Sequence, residues 1–264
     1  MSALFRHRHK PVIGVVHLRP LPGSPRWSGN LDSIIDRAIA DAEAYARGGA
    51  DAVIVENFGD APFTKDNVGP ETVAAMTAAG SAVRAAIKMP IGFNVLRNDA
   101  RSALALCAVC GGSFVRVNVH TGAMLTDQGI IEGNAYDTIR HRQLICPDVL
   151  LFADVHVKHA VPLADLSIED SARDTLERGL ADALIISGTG TGVAADIGDV
   201  ERVRRACPNA KILLGSGVTV ENAREFLRFA DGVIVGTSLK VGGKLDNPVD
   251  PKRVAALARV AHAR

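Results

Sequence analysis

The stretch Lys-Ile-Leu-Leu-Gly-Ser-Gly-Val (211–218) is followed closely by Asp-Gly-Val-Ile-Val-Gly-Thr-Ser (231–238). Each is a short aliphatic run closed by glycine and small hydroxyl residues, with a helix-like pattern after it. Glycine has no Cβ, so backbone N–H groups at such a turn can approach a phosphate closely. Two such turns in tandem match the ends of the seventh and eighth strands of a (β/α)8 barrel, where that fold commonly binds phosphate. The reading requires earlier strands at regular intervals.

Those strands are present in the pattern. Strands are predicted at 11–17 (PVIGVVH), 52–56 (AVIVE), 91–95 (IGFNV), 114–119 (FVRVNV), 150–155 (LLFADV) and 183–187 (ALIIS), then at 212–215 and 232–236. Amphipathic segments separate them, clearest at Asp32–Arg47, Glu71–Ile87, Ala100–Cys110, Ile168–Glu177, Val200–Ala206, Glu221–Phe229 and Pro251–Ala263. Helix caps are expected at Asp32, Asn98, Ser167, Asp199 and Thr219. The spacer 120–149 differs, with a long glycine-containing loop expected before one short helix near Ala135–Gln143. A sub-repeat supports the count: Gly-Gly-Ala-Asp-Ala-Val-Ile-Val (48–55), Gly-Gly-Ser-Phe-Val-Arg-Val (111–117), Gly-Leu-Ala-Asp-Ala-Leu-Ile-Ile (179–186) and Ala-Asp-Gly-Val-Ile-Val (230–235) are alike. Near-continuous apolar strands suit a parallel sheet buried on both faces. Alternating β and α units give a closed barrel or an open doubly wound sheet. Eight units in 264 residues favour the α/β (β/α)8 TIM barrel, as one domain over 11–264 behind a tail at 1–10.

At 47% hydrophobic, the chain can bury a large core. Thirty basic and 29 acidic residues give a net charge of +1, which provides no field for nucleic acid or an anionic membrane. Aromatic residues are 4% of the chain and show no basic interleaving, which also argues against nucleic acid. The run Arg6-His7-Arg8-His9-Lys10 reads as a solvated tail. No apolar segment of a signal peptide follows it, and no stretch approaches the ~20 apolar residues needed to cross a bilayer. Cys107 and Cys110 form a C-x-x-C within an apolar helix face, and Cys146 and Cys207 precede prolines at helix ends. All four read as packing residues in a reducing, cytoplasmic setting.

The strand ends carry the chemistry. His17 and Arg19 follow the first strand, Glu56 and Asn57 the second, and Asn94 ends the third. Arg116, Asn118 and His120 come from the fourth, Asp154, His156 and Lys158 from the fifth, and Ser187 from the sixth. Barrel active sites are built from these ends. Asp154, His156 and Lys158 recur at period two, which places them on one strand face. Three readings stay open: acid–base or substrate-positioning groups, a metal site shared with His17 or Glu56, and a buried Asp–Lys pair with a structural histidine. A Schiff base at Lys158 is disfavoured, because Lys158 falls beyond the regular strand. Gly188–Gly192 lacks the G-K-[ST] of a P-loop and, with Val193, the dinucleotide fingerprint. It is expected as a mobile loop over the substrate, or as an ordinary surface turn. Asn118–Gly133 is a second lid candidate, whose Asp127 and Glu132 read first as solvated loop charges and otherwise as groups reaching the site, and Trp27, Phe58 and Phe63 are apolar residues in early loops.

Four longer blocks carry a resemblance. Val-Val-His-Leu-Arg-Pro-Leu-Pro-Gly-Ser-Pro (15–25), Glu-Asn-Phe-Gly-Asp-Ala-Pro-Phe (56–63), Thr-Asp-Gln-Gly-Ile-Ile-Glu-Gly (126–133) and Ala-Asp-Val-His-Val-Lys-His (153–159) resemble the BtpA family, which includes SgcQ-like proteins. The resemblance runs from about residue 10 to the C-terminus. It implies a barrel similar to the ribulose-phosphate-binding group. It implies no agreed catalytic set. The family takes its name from a cyanobacterial role in biogenesis or stability of photosystem I, yet relatives occur without photosystems and beside sugar-transport genes.

The expected function is an enzyme acting on a phosphorylated sugar or nucleotide-derived metabolite, as an isomerase, epimerase or lyase before a hydrolase. Its phosphate would rest on Gly215, Ser216, Gly217, Gly236 and Thr237. Asp154 or His156 would move protons, with Glu56 as partner and His17 beside it. Lys158 or Arg116 would stabilise negative charge, and Asn94, Asn118, Ser187, Gly188 and Thr189 would contact substrate. The sequence assigns no cofactor, and a divalent metal stays open, with His17, Glu56, Asp154 and His156 as candidate ligands. The alternatives are a non-catalytic assembly factor for a membrane complex such as photosystem I, and a barrel binding a phosphorylated ligand as a regulator. Homo-oligomer formation is left open.

Overall fold

The computed structural model describes residues 3–5 and 9–263. Its strands are β1 (Val12–His17), β2 (Ala52–Glu56), β3 (Ile91–Asn94), β4 (Phe114–Val117), β5 (Ala123–Thr126), β6 (Gly129–Glu132), β7 (Leu150–Val155), β8 (Ala160–Pro162), β9 (Ala183–Ile186), β10 (Ile212–Leu214) and β11 (Gly232–Val235). Its helices are α1 (Leu31–Arg47), α2 (Pro70–Ala86), α3 (Ala100–Cys110), α4 (Ala135–Ile145), α5 (Ile168–Arg173), α6 (Ile197–Ala206), α7 (Ala223–Phe226) and α8 (Pro251–His262). β1, β2, β3, β4, β7, β9, β10 and β11 form a closed parallel barrel, in which β11 returns to β1 with Val12 opposite Val233. The chain is a (β/α)8 TIM barrel, and all eight predicted barrel strands fall within it.

The unbroken apolar strands follow from two cores. One face of each strand packs outward on the helices, as Val53, Val55, Leu184 and Ile186 do. The other face fills the barrel with Ile13, Val15, Ile54, Phe114, Phe152, Ile185, Leu213 and Ile234. With both faces buried, alternation of polarity disappears from the sequence. Gly14 admits the Tyr45 ring of α1, since a Cβ there would lie 2.3 Å from Tyr45 Cδ1. The Tyr45 hydroxyl then donates to Val15 O at 3.1 Å.

The structure corrects two expectations. Part of the predicted tail is anchored: Leu4 is buried against the barrel-filling cluster, and the Phe5 ring meets Phe152 edge-on at 5.8 Å. His9 Nε2 lies 2.7 Å from Asp51 Oδ1, and Lys10 Nζ donates to Ala230 O at 2.8 Å. Arg6, His7 and Arg8 lie outside the described residues. The loop at 120–149 contains a hairpin, β5–β6, which extends through β8 into a three-stranded antiparallel sheet. Its alternation is short but present, with Met124 and Ile131 buried while Leu125 and Ile130 are exposed.

Ser167 caps α5 as expected, but the caps of α1, α3 and α6 are Asn30, Asp99 and Asp196. The four cysteines are free and buried. Among the described residues, no helix is long and apolar enough to cross a membrane.

Candidate active site

Two adjoining cavities open at the C-terminal ends of the barrel strands. One, of about 350 Å³, is lined by the 215–217 and 236–238 turns, Gly242, Gly243 and Arg253. The other, of about 500 Å³, is lined by Phe58, Phe63, Asn94, Arg97, Asn118 and Asp127. Glu56, Arg116, Lys158 and Thr191 line both, so the two halves form one cleft.

The glycine turns form the first half. Gly217 has φ +63, which favours glycine, and a Cβ on Gly236 would lie 2.4 Å from His17 Cε1. Ser238 Oγ donates to Val218 O at 2.6 Å and ties the two turns together. Arg253, in the first turn of α8, donates from Nη1 to Ser238 O at 2.9 Å and lines the same cavity. Arg253 was absent from the expected site. Its signal was a cation just inside the helix that follows the second glycine turn.

Asp154 is saturated. Arg116 Nε and Nη2 donate to its two oxygens at 2.8 Å each, Ser187 Oγ donates at 3.0 Å and Asn118 Nδ2 at 3.1 Å. Asn94 Nδ2 donates in turn to Asn118 Oδ1 at 3.2 Å. The network binds four barrel strands and their extensions together. Arg116, not Asp154, lines the cleft. The buried-pair reading thus applies to Asp154, with Arg116 in place of Lys158 as partner.

His156 departs from its expected position. β7 ends at Val155, and His156 takes φ +50, which breaks the period-two alternation. Its Nε2 lies 3.0 Å from Ser171 Oγ on α5, facing a separate cavity of about 60 Å³. Lys158, two residues farther on, returns to the cleft. The shared face of Asp154, His156 and Lys158 therefore does not form.

The unpaired groups are elsewhere. The Glu56 residue is 3% exposed, and among the described residues its carboxylate makes no hydrogen bond or ion pair although it borders the cleft. Lys158 Nζ likewise has neither. His17 Nδ1 is shut off from solvent with no hydrogen-bond partner among the described residues, and its ring packs edge-on against Phe58 at 4.9 Å. Desolvation lowers the Lys158 pKa, with Arg116 acting in the same sense and Glu56 opposing it. Desolvation also holds His17 well below its usual pKa, reinforced by Lys240, Lys158 and Arg116. A neutral imidazole, an amine that loses its proton readily and an unpaired carboxylate around one cleft can exchange protons with a bound molecule.

The other predicted residues divide. Thr191 and Gly192 reach the cleft, whereas Gly188 and Thr189 are not among its lining residues. Thr189 O accepts from His159 N at 3.0 Å, and Ser216 Oγ donates to Gly190 O at 3.0 Å, so this loop is tied at both sides. Asp127, at the hairpin tip, reaches the cleft, while Glu132 is exposed. His120 turns to Gly179 O at 2.7 Å, and Asn57 supports Leu96 N at 2.7 Å. Arg97, which donates to Lys158 O and lines the cleft, lies outside the site expected from sequence. Its only signal was a polar Arg-Asn-Asp after the third strand. The proposed metal ligands His17, Glu56, Asp154 and His156 do not gather: among the described residues, their ligand atoms form no group within 4.8 Å.

The BtpA family model matches residues 8–263, nearly the whole chain. The chain belongs to the BtpA family. It is 49% identical over 248 residues to the Photosystem I biogenesis protein BtpA of Synechocystis, covering 94% of this chain and 86% of that one. It is 46% identical to an uncharacterized protein of Pyrococcus furiosus, covering 96% and 95% of the two chains. It is 32% identical to an uncharacterized mitochondrial protein of Caenorhabditis elegans, over 97% and 94%. Among solved structures, Mycobacterium tuberculosis tryptophan synthase superposes with a TM-score of 0.63 at 17% identity, over 97% of this chain and 94% of that one. N-(5'-phosphoribosyl)anthranilate isomerase from Pyrococcus furiosus gives 0.57 at 15% identity, over 96% and 98%. At such identities these two share the fold of the BtpA barrel.

The pH dependence of this BtpA-family barrel has a definite sign. A histidine whose folded pKa lies below its unfolded value favours folding only while neutral. His17 thus contributes stability above about pH 6.5, and that contribution is lost as pH falls toward its depressed folded pKa. Stability is expected to fall as pH drops below about 6.5, and His17→Gln to flatten that slope in urea unfolding. An unchanged slope in the variant would remove His17 as a cause.

Proposed function

We propose that this barrel is an enzyme that anchors a phosphorylated small molecule, of the sugar-phosphate class, on the 215–217 and 236–238 turns. Arg253 supplies the cation for the phosphate, and the carbon skeleton extends over Glu56, Lys158 and Arg116. The observation that carries the reading is the unpaired Glu56 carboxylate in the same cleft as the glycine turns. A carboxylate is kept buried without a protein partner at a desolvation cost, and a substrate proton or hydroxyl can supply the missing partner. Glu56 acts as the general base at a carbon or hydroxyl of the substrate. Lys158 returns or stabilises the proton, and Arg116, held rigid by Asp154, faces developing negative charge. This division of labour suits an isomerase or a lyase. A cytoplasmic setting fits the four unpaired cysteines.

Calorimetry tests the phosphate end. Phosphorylated sugars should bind and their dephosphorylated counterparts should bind far more weakly. Arg253→Ala should weaken only the phosphorylated class, by roughly tenfold, as expected for one ionic hydrogen bond of about 1.5 kcal/mol at a partly wet site. Equal weakening of both classes would remove the phosphate from Arg253. Glycine replacements serve poorly here, because a side chain on Gly236 would displace His17.

The name of the Synechocystis relative supports a second reading, an assembly factor for photosystem I. The relatives also include archaeal proteins and a nematode protein, and a nematode has no photosystem. We therefore favour a shared small-molecule activity on which a cyanobacterial complex depends. An assembly role alone gives no reason to keep Glu56 and Lys158 unpaired in a cleft.

A further inference from the structure

At the opposite end of the barrel, three side chains from distant parts of the chain meet. His9 precedes β1, Asp51 precedes β2, and His262 is the last residue of α8. His9 Nε2 lies 2.7 Å from Asp51 Oδ1, and His262 Nε2 lies 2.9 Å from Asp51 Oδ2. The two imidazole centroids are 4.1 Å apart. Ligand atoms of all three lie within 4.8 Å of one another, and all three residues are half-buried. Backbone Val12 N donates to Asp51 Oδ2 at 2.8 Å and fixes the carboxylate.

We propose that His9, Asp51 and His262 bind a transition-metal dication of the zinc class. Two imidazoles and one carboxylate are the donors such an ion takes, with water completing a tetrahedron. An ion about 2.0–2.2 Å from each donor needs donor separations of about 3.3 Å, so small side-chain rotations from the hydrogen-bonded arrangement suffice. The carboxylate offsets one of the two positive charges, and the Val12 amide is the outer-shell contact that orients it. The ion would join the approach to β1, the approach to β2 and the end of α8, pinning the two termini across the barrel seam. Its place at the N-terminal barrel face, away from the candidate active site, makes it a stabilising site rather than a catalytic one.

The test uses untagged, chelator-stripped protein titrated with Co²⁺ and then Zn²⁺. One equivalent of Co²⁺ should bind with the visible absorption of a four-coordinate ion, Zn²⁺ should displace it, and Zn²⁺ should raise the melting temperature. Removing an outer-shell partner typically costs about 10–100-fold in metal affinity, so losing a ligand in His262→Ala should cost about 100-fold or more. The zinc-dependent rise in melting temperature should vanish with it. Wild type that binds no stoichiometric metal overturns the proposal without recourse to any variant. So does His262→Ala that is folded by circular dichroism and binds as tightly as wild type. Neither outcome bears on the phosphate cleft, which is read separately by calorimetry.

Discussion

Glu56→Gln is expected to lower turnover by roughly 10²–10⁴-fold, the usual contribution of a general acid–base group, while leaving the fold and phosphorylated-ligand affinity near wild type. The glutamine side chain would keep the shape and one hydrogen-bonding oxygen of Glu56 and lose the basic site. The protein itself makes no hydrogen bond to the Glu56 carboxylate among the described residues, so no network is broken by the exchange. Lys158→Met should behave similarly. Desolvation lowers the Lys158 pKa, so its ammonium gives up a proton more readily than a surface lysine does. His156→Ala should leave turnover nearly unchanged, because its ring bonds Ser171 outside the cleft. The measurement is a steady-state assay on whichever sugar phosphate calorimetry identifies, with circular dichroism as the fold control. Turnover retained by Glu56→Gln, together with loss in His156→Ala, would return the chemistry to β7 and overturn this assignment.

The contrast between these residues shows where the sequence is readable. Eight apolar runs sufficed for the barrel because parallel strands buried on both faces leave a continuous hydrophobic mark. The positions of Glu56 and Lys158 in the cleft were legible too, since one ends a barrel strand and the other follows one. The error at His156 has a backbone cause. Period-two reasoning holds only while the strand lasts, and the positive φ at His156 ends it one residue beyond Val155. The pairing of Asp154 was hidden for a different reason. Arg116 and Asp154 are 38 positions apart, and only the β4–β7 register, with Arg116 opposite Phe152, brings them together. The β5–β6 hairpin leaves little mark on the sequence because each strand is four residues long and only half-buried, too short for a period to stand out. Cap positions were displaced by about one to three residues because Asx and hydroxyl residues cluster at helix starts, and the backbone decides which of them bonds the first turn.

Asp154→Asn is expected to destabilise the fold by about 3–5 kcal/mol, as breaking a buried ion pair from one side does. The Arg116 and Asp154 side chains are 2% and 0% exposed, so solvent cannot take over the lost partner. The substitution is close to isosteric, yet it does more than remove a charge. Both Asp154 oxygens accept bonds, from Arg116, Asn118 and Ser187. Asparagine replaces one acceptor with an NH₂ that faces donors, which leaves donors unsatisfied in a buried network. Arg116→Met should cost a similar amount by leaving the carboxylate uncompensated, and the double replacement should cost less than the sum of the two, because the pair is coupled. Urea unfolding of the three variants measures this directly. A general base would give the opposite pattern: Asp154→Asn would unfold at the wild-type urea concentration and lose its turnover. The saturated hydrogen bonding of Asp154 and the unpaired state of Glu56 predict that the two carboxylates separate cleanly in this test, one by stability and the other by rate.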